Sequence, residues 1–149
     1  MLTEVVTYDD LYLPESIRPN FLASPVGIAD AYDWEALRGG VLEPFRQGEP
    51  CEYPVLDWET QDRKVMVVSP HSRILIVEGV SCTRPELRNL YDFRVWVTAP
   101  YEVRIARGVA RDGEGMRSYW TDVWMPAEEI YLRSCHPDQS VDLIMDGTV

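Results

Sequence analysis

Two carboxylates close apolar runs in this chain. Asp9 follows Glu4-Val5-Val6-Thr7-Tyr8, and Glu78 follows Arg73-Ile74-Leu75-Ile76-Val77. The second run has no polar alternation, which predicts a strand covered on both faces, as in a parallel sheet. In open α/β sheets, ligands bind beyond the carboxyl ends of the strands. Two parallel strands would bring Asp9 and Glu78 to one edge of the sheet. Such a pair can hold Mg²⁺, or one member can take a proton from a substrate hydroxyl. The plainer reading of Glu78 is a strand-ending carboxylate facing water. Gly79 lets the chain turn tightly or lets a ligand approach the backbone.

A second group carries the opposite charge. Arg104, Arg107 and Arg111 are spaced i, i+3, i+7, which places them on one helical face, and Arg117 follows just past Gly113 and Gly115. Guanidinium forks match phosphate oxygens. A solvated helix face is the commoner fate of this spacing. In an acidic chain, beside glycines, the cluster also suits a lid closing over a phosphoryl group. In Asp30-Ala31-Tyr32-Asp33, either aspartate can cap the helix that follows. Tyr53, Trp58, Trp120 and Trp124 read as core or loop packing rather than a stacking platform.

Composition sets the bounds. The 149 residues suffice for one domain with a core, and the hydrophobic content of 46% is that of a globular chain. The net charge of −11 argues against nucleic acid or an anionic membrane as partner and leaves a small-molecule substrate open. Cys51, Cys82 and Cys135 form no CxxC, so neither a disulfide framework nor a zinc site is indicated. No signal segment and no apolar run of membrane-spanning length is evident, so a cytoplasmic domain is expected.

The elements that must position these residues alternate. A short strand runs from Glu4 toward Asp10, and an irregular loop covers 14–29. A helix then places Trp34, Leu37, Val41, Leu42 and Phe45 on one face, weakened at Gly39-Gly40. Residues 48–63 read as a proline-punctuated loop, and Val65–Val68 as an edge strand before Pro70. After the run ending at Glu78, Thr83-Arg84-Pro85-Glu86 has the form of a capping box opening a short helix to Tyr91. Phe93–Val97 is a strand, Tyr101 to about Arg111 a helix, and Met116–Tyr131 a helix interrupted at Pro126. Val141–Met145 is the last strand. The class is α/β with a mainly parallel sheet and flanking helices.

Taken in order, several segments resemble the uridine kinase/phosphoribulokinase branch of the P-loop kinases. They are Tyr8-Asp9-Asp10-Leu11-Tyr12, Asp30-Ala31-Tyr32-Asp33-Trp34, Pro54-Val55-Leu56-Asp57-Trp58 with Arg63, Ile76-Val77-Glu78-Gly79-Val80, Arg84-Pro85-Glu86-Leu87-Arg88 and Arg104 through Asp112. The resemblance implies a single kinase-like domain over 1–149 that transfers the ATP γ-phosphoryl group to a sugar or nucleoside hydroxyl. It implies Asp9 as the catalytic carboxylate, Tyr12, Asp30 and Arg63 as substrate-binding residues, and Glu78 near Mg²⁺. It also implies Arg107 as a catalytic arginine, with Arg104 and Arg111 on the ATP side.

Two departures qualify what the resemblance implies. Leu56 and Gln61 stand where uridine kinases typically carry Tyr and His, which puts a pyrimidine acceptor in question. GxxxxGK[ST] occurs nowhere in these residues. The family places that loop, within a strand–loop–helix unit of roughly 30 residues, ahead of the strand near Glu4. Without the unit, the strand ending at Glu78 and the strand Phe93–Val97 either pair directly or leave an open slot. An open slot would make the chain sticky or oligomeric through that edge. Three readings follow: an ATP-dependent kinase of a small hydroxylated molecule, a binding module that has lost ATP, or a related kinase of a vitamin or nucleotide.

Overall fold

The computed structural model describes residues 3–68 and 72–148. Its strands are β1 (Thr3–Thr7), β2 (Cys51–Leu56), β3 (Arg63–Val68), β4 (Ile74–Glu78), β5 (Val95–Thr98) and β6 (Leu143–Asp146). β1 lies parallel to β4 with Thr7 opposite Glu78, and β5 lies parallel to β6. β2 and β3 form an antiparallel hairpin. Three longer helical segments accompany them: α1 over 34–47, α2 (Tyr101–Asp112) and α3 over 117–135. The architecture is α/β with parallel strands and flanking helices, as the sequence predicts. Pro70, expected to follow β3, lies outside the described residues.

Burial is concentrated on one side. Val6, Tyr8, Leu11, Leu37, Val41, Leu87 and Tyr131 are fully buried in one cluster. That cluster joins β1, α1, the hairpin and α3. Among the described residues β4 pairs only with β1 and β5 only with β6, so each keeps an unpaired edge. The alternative of direct pairing between them is not adopted. Ile76 on β4 is consequently 47% exposed and Val97 on β5 62%. The expectation that β4 is covered on both faces is therefore corrected: a strand with one neighbour leaves much of its apolar surface to solvent.

Local chemistry explains the helices. Asp33 caps α1 by accepting from the Ala36 N–H at 3.0 Å, whereas Asp30 accepts from the Ser24 hydroxyl. Gly39-Gly40 does not end α1. The helix loosens there into a π turn, Arg38–Leu42, and Gly40 brings it against the Glu52 carbonyl, where no Cβ would fit. Gly113 ends α2. α3 widens into a π turn, Trp120–Trp124, just before Met125-Pro126, where the proline supplies no N–H.

Three sequence expectations need correction. Residues 51–56 are a strand rather than a loop. Cys51 and Tyr53 point inward while Glu52 points out, and β2 tolerates Pro54 because among the described residues it has a neighbour on one side only. Asp9 sits not on the strand itself but in the 3₁₀ turn Tyr8–Leu11 just after β1. The capping box at Thr83 does not open an α-helix; 85–90 are turns ending in Arg88–Leu90. Glu86 is occupied by Arg84, taking Nε at 2.8 Å and Nη2 at 3.1 Å. Arg84 is itself buried, donates to the Ala29 carbonyl at 2.9 Å and lies over the Trp34 ring.

Candidate active site

A cavity of about 700 Å³ opens at the carboxyl ends of β1 and β4. The parallel register that sets Thr7 beside Glu78 brings Asp9 and Glu78 to the same wall. Gly79 turns the chain away at φ 138°, a conformation suited to glycine, and packs on Tyr8 where a Cβ would collide. Asp10, beside the pair, has its carboxyl pushed above the usual range by burial and by the charges of Asp9 and Glu78.

The opposite wall is α2. Arg104, Arg107 and Arg111 all line the cavity, so their spacing does define one face turned toward it. Their states differ. Arg104 pairs with Glu128 at 2.7 Å and Glu129 at 3.5 Å. Burial pushes the Glu128 carboxyl up, against the pull of Arg104. Arg111 grips its neighbour Asp112 with two nitrogens, at 2.7 and 3.1 Å, which lowers the Asp112 carboxyl. Arg107 has no carboxylate partner among the described residues and donates to the Gly147 carbonyl. It is the guanidinium most available to an incoming anion. Arg117 pairs with Glu114 at the surface and stays outside this cavity.

Between the walls lies an aromatic floor. Tyr12 stacks on Trp58 at 5.1 Å and accepts from Trp124 Nε1 at 3.3 Å; Trp120 meets Trp124 edge-on at 4.9 Å. Tyr32 stacks on Tyr8 at 4.5 Å. An oxygen-and-arginine rim over an aromatic floor suits a small molecule with a flat or apolar body and a reactive hydroxyl.

The model of the phosphoribulokinase / uridine kinase family matches residues 26–125. The chain belongs to this family. A uridine kinase of Clostridium novyi is 35% identical over 85 residues, covering 56% of this chain and 40% of that protein. One of Brevibacillus brevis is 33% identical over 75 residues, covering 49% and 35%. The chain thus spans well under two thirds of these relatives. The solved structure of a possible uridine kinase from Bacillus stearothermophilus superposes with a TM-score of 0.70 at 21% identity, covering 97% of this chain and 72% of that one, which establishes the fold.

The uridine kinase resemblance assigns substrate contacts to Tyr12, Asp30 and Arg63, and the structure separates them. Tyr12 lines the main cavity. Asp30 and Arg63 line a second cavity of about 340 Å³ on the other side of Tyr32. There Arg63 pairs with Asp33 at 2.5 Å, and Asp30 lies 3.6 Å from Arg84. Trp124 and Trp120 pack against the two buried clusters and Trp58 stacks on Tyr12, as expected of packing residues, and all three also line the main cavity; Tyr53 is buried in the core as expected. The usable signal for Trp58 was its place directly after Asp57 in a family segment.

Among the described residues no group of three acidic, His or Cys side chains forms a metal cage. Mg²⁺ is commonly held by one or two carboxylates with water and phosphate oxygens, so Asp9 and Glu78 fit it as a pair. The phosphate loop of P-loop kinases has no counterpart here, and the chain's one lysine, Lys64, sits on the hairpin paired with Asp57. Among the described residues no helix is long and apolar enough to cross a membrane.

Proposed function

We propose that this chain carries the acceptor-binding and proton-accepting part of an ATP-dependent kinase acting on a hydroxyl of a small molecule. The observation that supports it best is the meeting of Asp9, in the turn just after β1, and Glu78, at the end of the neighbouring parallel strand β4, on one wall of a cavity lined by three arginines. Asp9 takes the proton of the acceptor hydroxyl. Glu78 stands on the Mg²⁺ side. Arg107, which has no carboxylate partner among the described residues, answers the charge that develops on the transferring group, with Arg104 and Arg111 behind it. Tyr12 and Trp58 hold the body of the acceptor. Asp30 and Arg63 act at one remove, by bracing the segment that carries Tyr32. Bound ATP would supply the γ-phosphoryl group. The setting is the cytoplasm, the partner a small molecule rather than nucleic acid or membrane, and association into homo-oligomers would run through the open strand edges.

Leu56 and Gln61 leave the acceptor pocket without the Tyr and His of uridine kinases, so uridine is not the best acceptor. The test joins the chain to a strand–GxxxxGK[ST]–helix unit of a related uridine kinase. Nucleosides, ribose derivatives and vitamin alcohols are then offered with ATP. Transfer to one of these is expected, and Asp9→Asn should lower kcat about 10²–10⁴-fold. An undiminished Asp9→Asn enzyme would sink the role of Asp9, and a clear preference for uridine would sink the acceptor reading. A second reading, a binding module without ATP, is favoured for residues 1–149 by themselves because they contain no phosphate loop. Calorimetry on that chain should give no micromolar ATP affinity; finding such affinity would remove this reading.

A further inference from the structure

The Tyr32 hydroxyl donates to Asp9 Oδ1 at 3.0 Å. Its ring has little freedom to do otherwise. Tyr32 is 5% exposed, stacked within 14° of parallel on Tyr8 and met edge-on by Tyr12 at 5.1 Å. The backbone fixes the same relation. Leu13 N–H donates to the Ala31 carbonyl and Asp33 N–H to the Leu11 carbonyl, both at 2.8 Å, flanking a bridge between Tyr12 and Tyr32. The segment bearing Asp9 is thereby sewn to the segment bearing Tyr32. Arg84 and Asp33 secure that second segment from either end, through the Ala29 carbonyl and the cap of α1.

We propose that Tyr32 is a positioning residue for phosphoryl transfer: it holds Oδ1 of Asp9 and so presents Oδ2 to the acceptor hydroxyl. The role rests on the proposed function of Asp9. In the step, the acceptor O–H gives its proton to Oδ2 while its oxygen bonds to the γ-phosphorus of ATP and the bond from that phosphorus to the ADP oxygen breaks. Tyr32 keeps its own proton throughout. Burial, with the Asp9 charge added, pushes the Tyr32 phenol well above its ordinary value, so it remains a donor. A donor to the ionised carboxylate favours that form. Asp9 is also faced by Asp10 and Tyr12 on its own turn, by Glu78 on β4 and by Arg111 on α2, and these are unchanged when Tyr32 alone is altered.

The first test is a double-variant cycle on the 149-residue chain at one fixed pH. Urea unfolding is compared for Tyr32→Phe, which keeps the ring stack, for Asp9→Ala and for the two together. Because both substitutions remove the same hydrogen bond, the joint loss should fall short of the sum of the two separate losses. Additive losses in folded variants overturn the proposal. The second test uses the chain joined to the strand–GxxxxGK[ST]–helix unit. There Tyr32→Phe should lower kcat about tenfold with the acceptor KM little changed, and should add nothing where Asp9→Asn is already present. A full kcat in a folded Tyr32→Phe enzyme overturns the positioning role. The two readings fail separately: an undiminished Asp9→Asn enzyme removes the role of Asp9, whereas an impaired Asp9→Asn beside a fully active Tyr32→Phe removes only that of Tyr32.

Discussion

The side of the molecule that holds Asp9 and the side built on β5 and β6 are made from similar residues and packed very differently. Val6 and Leu37 are fully buried, whereas Val97 is 62% and Ile144 56% exposed. Both sides carry short parallel strands of β-branched residues. What differs is company. β1 and β4 are backed by α1, the hairpin and α3, while among the described residues β5 and β6 pair only with each other. The carboxylate wall of the cavity is thus backed by a core of its own. The arginine wall stands on a helix whose own buried cluster is just Ile105, Val109 and Met125.

The largest test of this contrast is a pair of truncations. Leu37→Ala should cost about 2–5 kcal/mol, the range for emptying a closed core site. Val97→Ala, on the open side, should stay within about 0.5 kcal/mol. Urea unfolding of both variants compares them directly, and equal losses would mean that the two sides are packed alike. A finer pair lies within α1. Gly40→Ala would drive a methyl into the Glu52 carbonyl and should cost about 1–3 kcal/mol. Gly39→Ala meets nothing within 4 Å and should be neutral or stabilise by up to about 1 kcal/mol. A stable Gly40→Ala would show that α1 does not need its close approach to the hairpin.

The third test crosses between the sides. Arg107 stands on α2 and reaches the end of β6 through the Gly147 carbonyl. Arg107→Ala, in the chain joined to a phosphate-loop unit, should lower kcat about tenfold, near 1.4 kcal/mol, with less effect on acceptor binding. An unchanged kcat would return the arginines to the status of a solvated helix face.

The sequence made some of this legible and not the rest. Strand-ending carboxylates and arginine spacing are local patterns, so the shared wall of Asp9 and Glu78 and the common face of Arg104, Arg107 and Arg111 could be read directly. β2 was hidden by Pro54, whose penalty vanishes on a strand with one neighbour. The helix expected at Thr83 was lost to a long-range contact: Arg84 is claimed by the Ala29 carbonyl, 55 residues earlier, and takes Glu86 with it. Exposure of β4 was illegible for a similar reason, since an apolar run states what a strand can bury and not what covers it. The bond from Tyr32 to Asp9 depends on a backbone bridge between 12 and 32 that no periodicity announces.

The smallest effect concerns charge rather than packing. Asp10 sits at the edge of the well-packed side, within reach of the charges of Asp9 and Glu78, and burial followed by those two charges raises its carboxyl from the ordinary 3.8. A folded-state value above the unfolded one means that the native chain binds this proton more tightly. The stabilisation is therefore complete below pH 3.8 and is lost as pH rises through the raised value. Asp10→Asn cannot ionise. Relative to the unsubstituted chain, it should gain stability on going from pH 3 to pH 7, read as a rise in the difference between their urea midpoints. Comparing the two chains at each pH cancels the carboxylates that they share. A difference that stays constant would mean that Asp10 ionises without cost and that the strand ends hold no charge repulsion. A rise would locate a penalty at the very edge where Asp9 and Glu78 meet, the trade expected where a site is kept charged at the expense of stability.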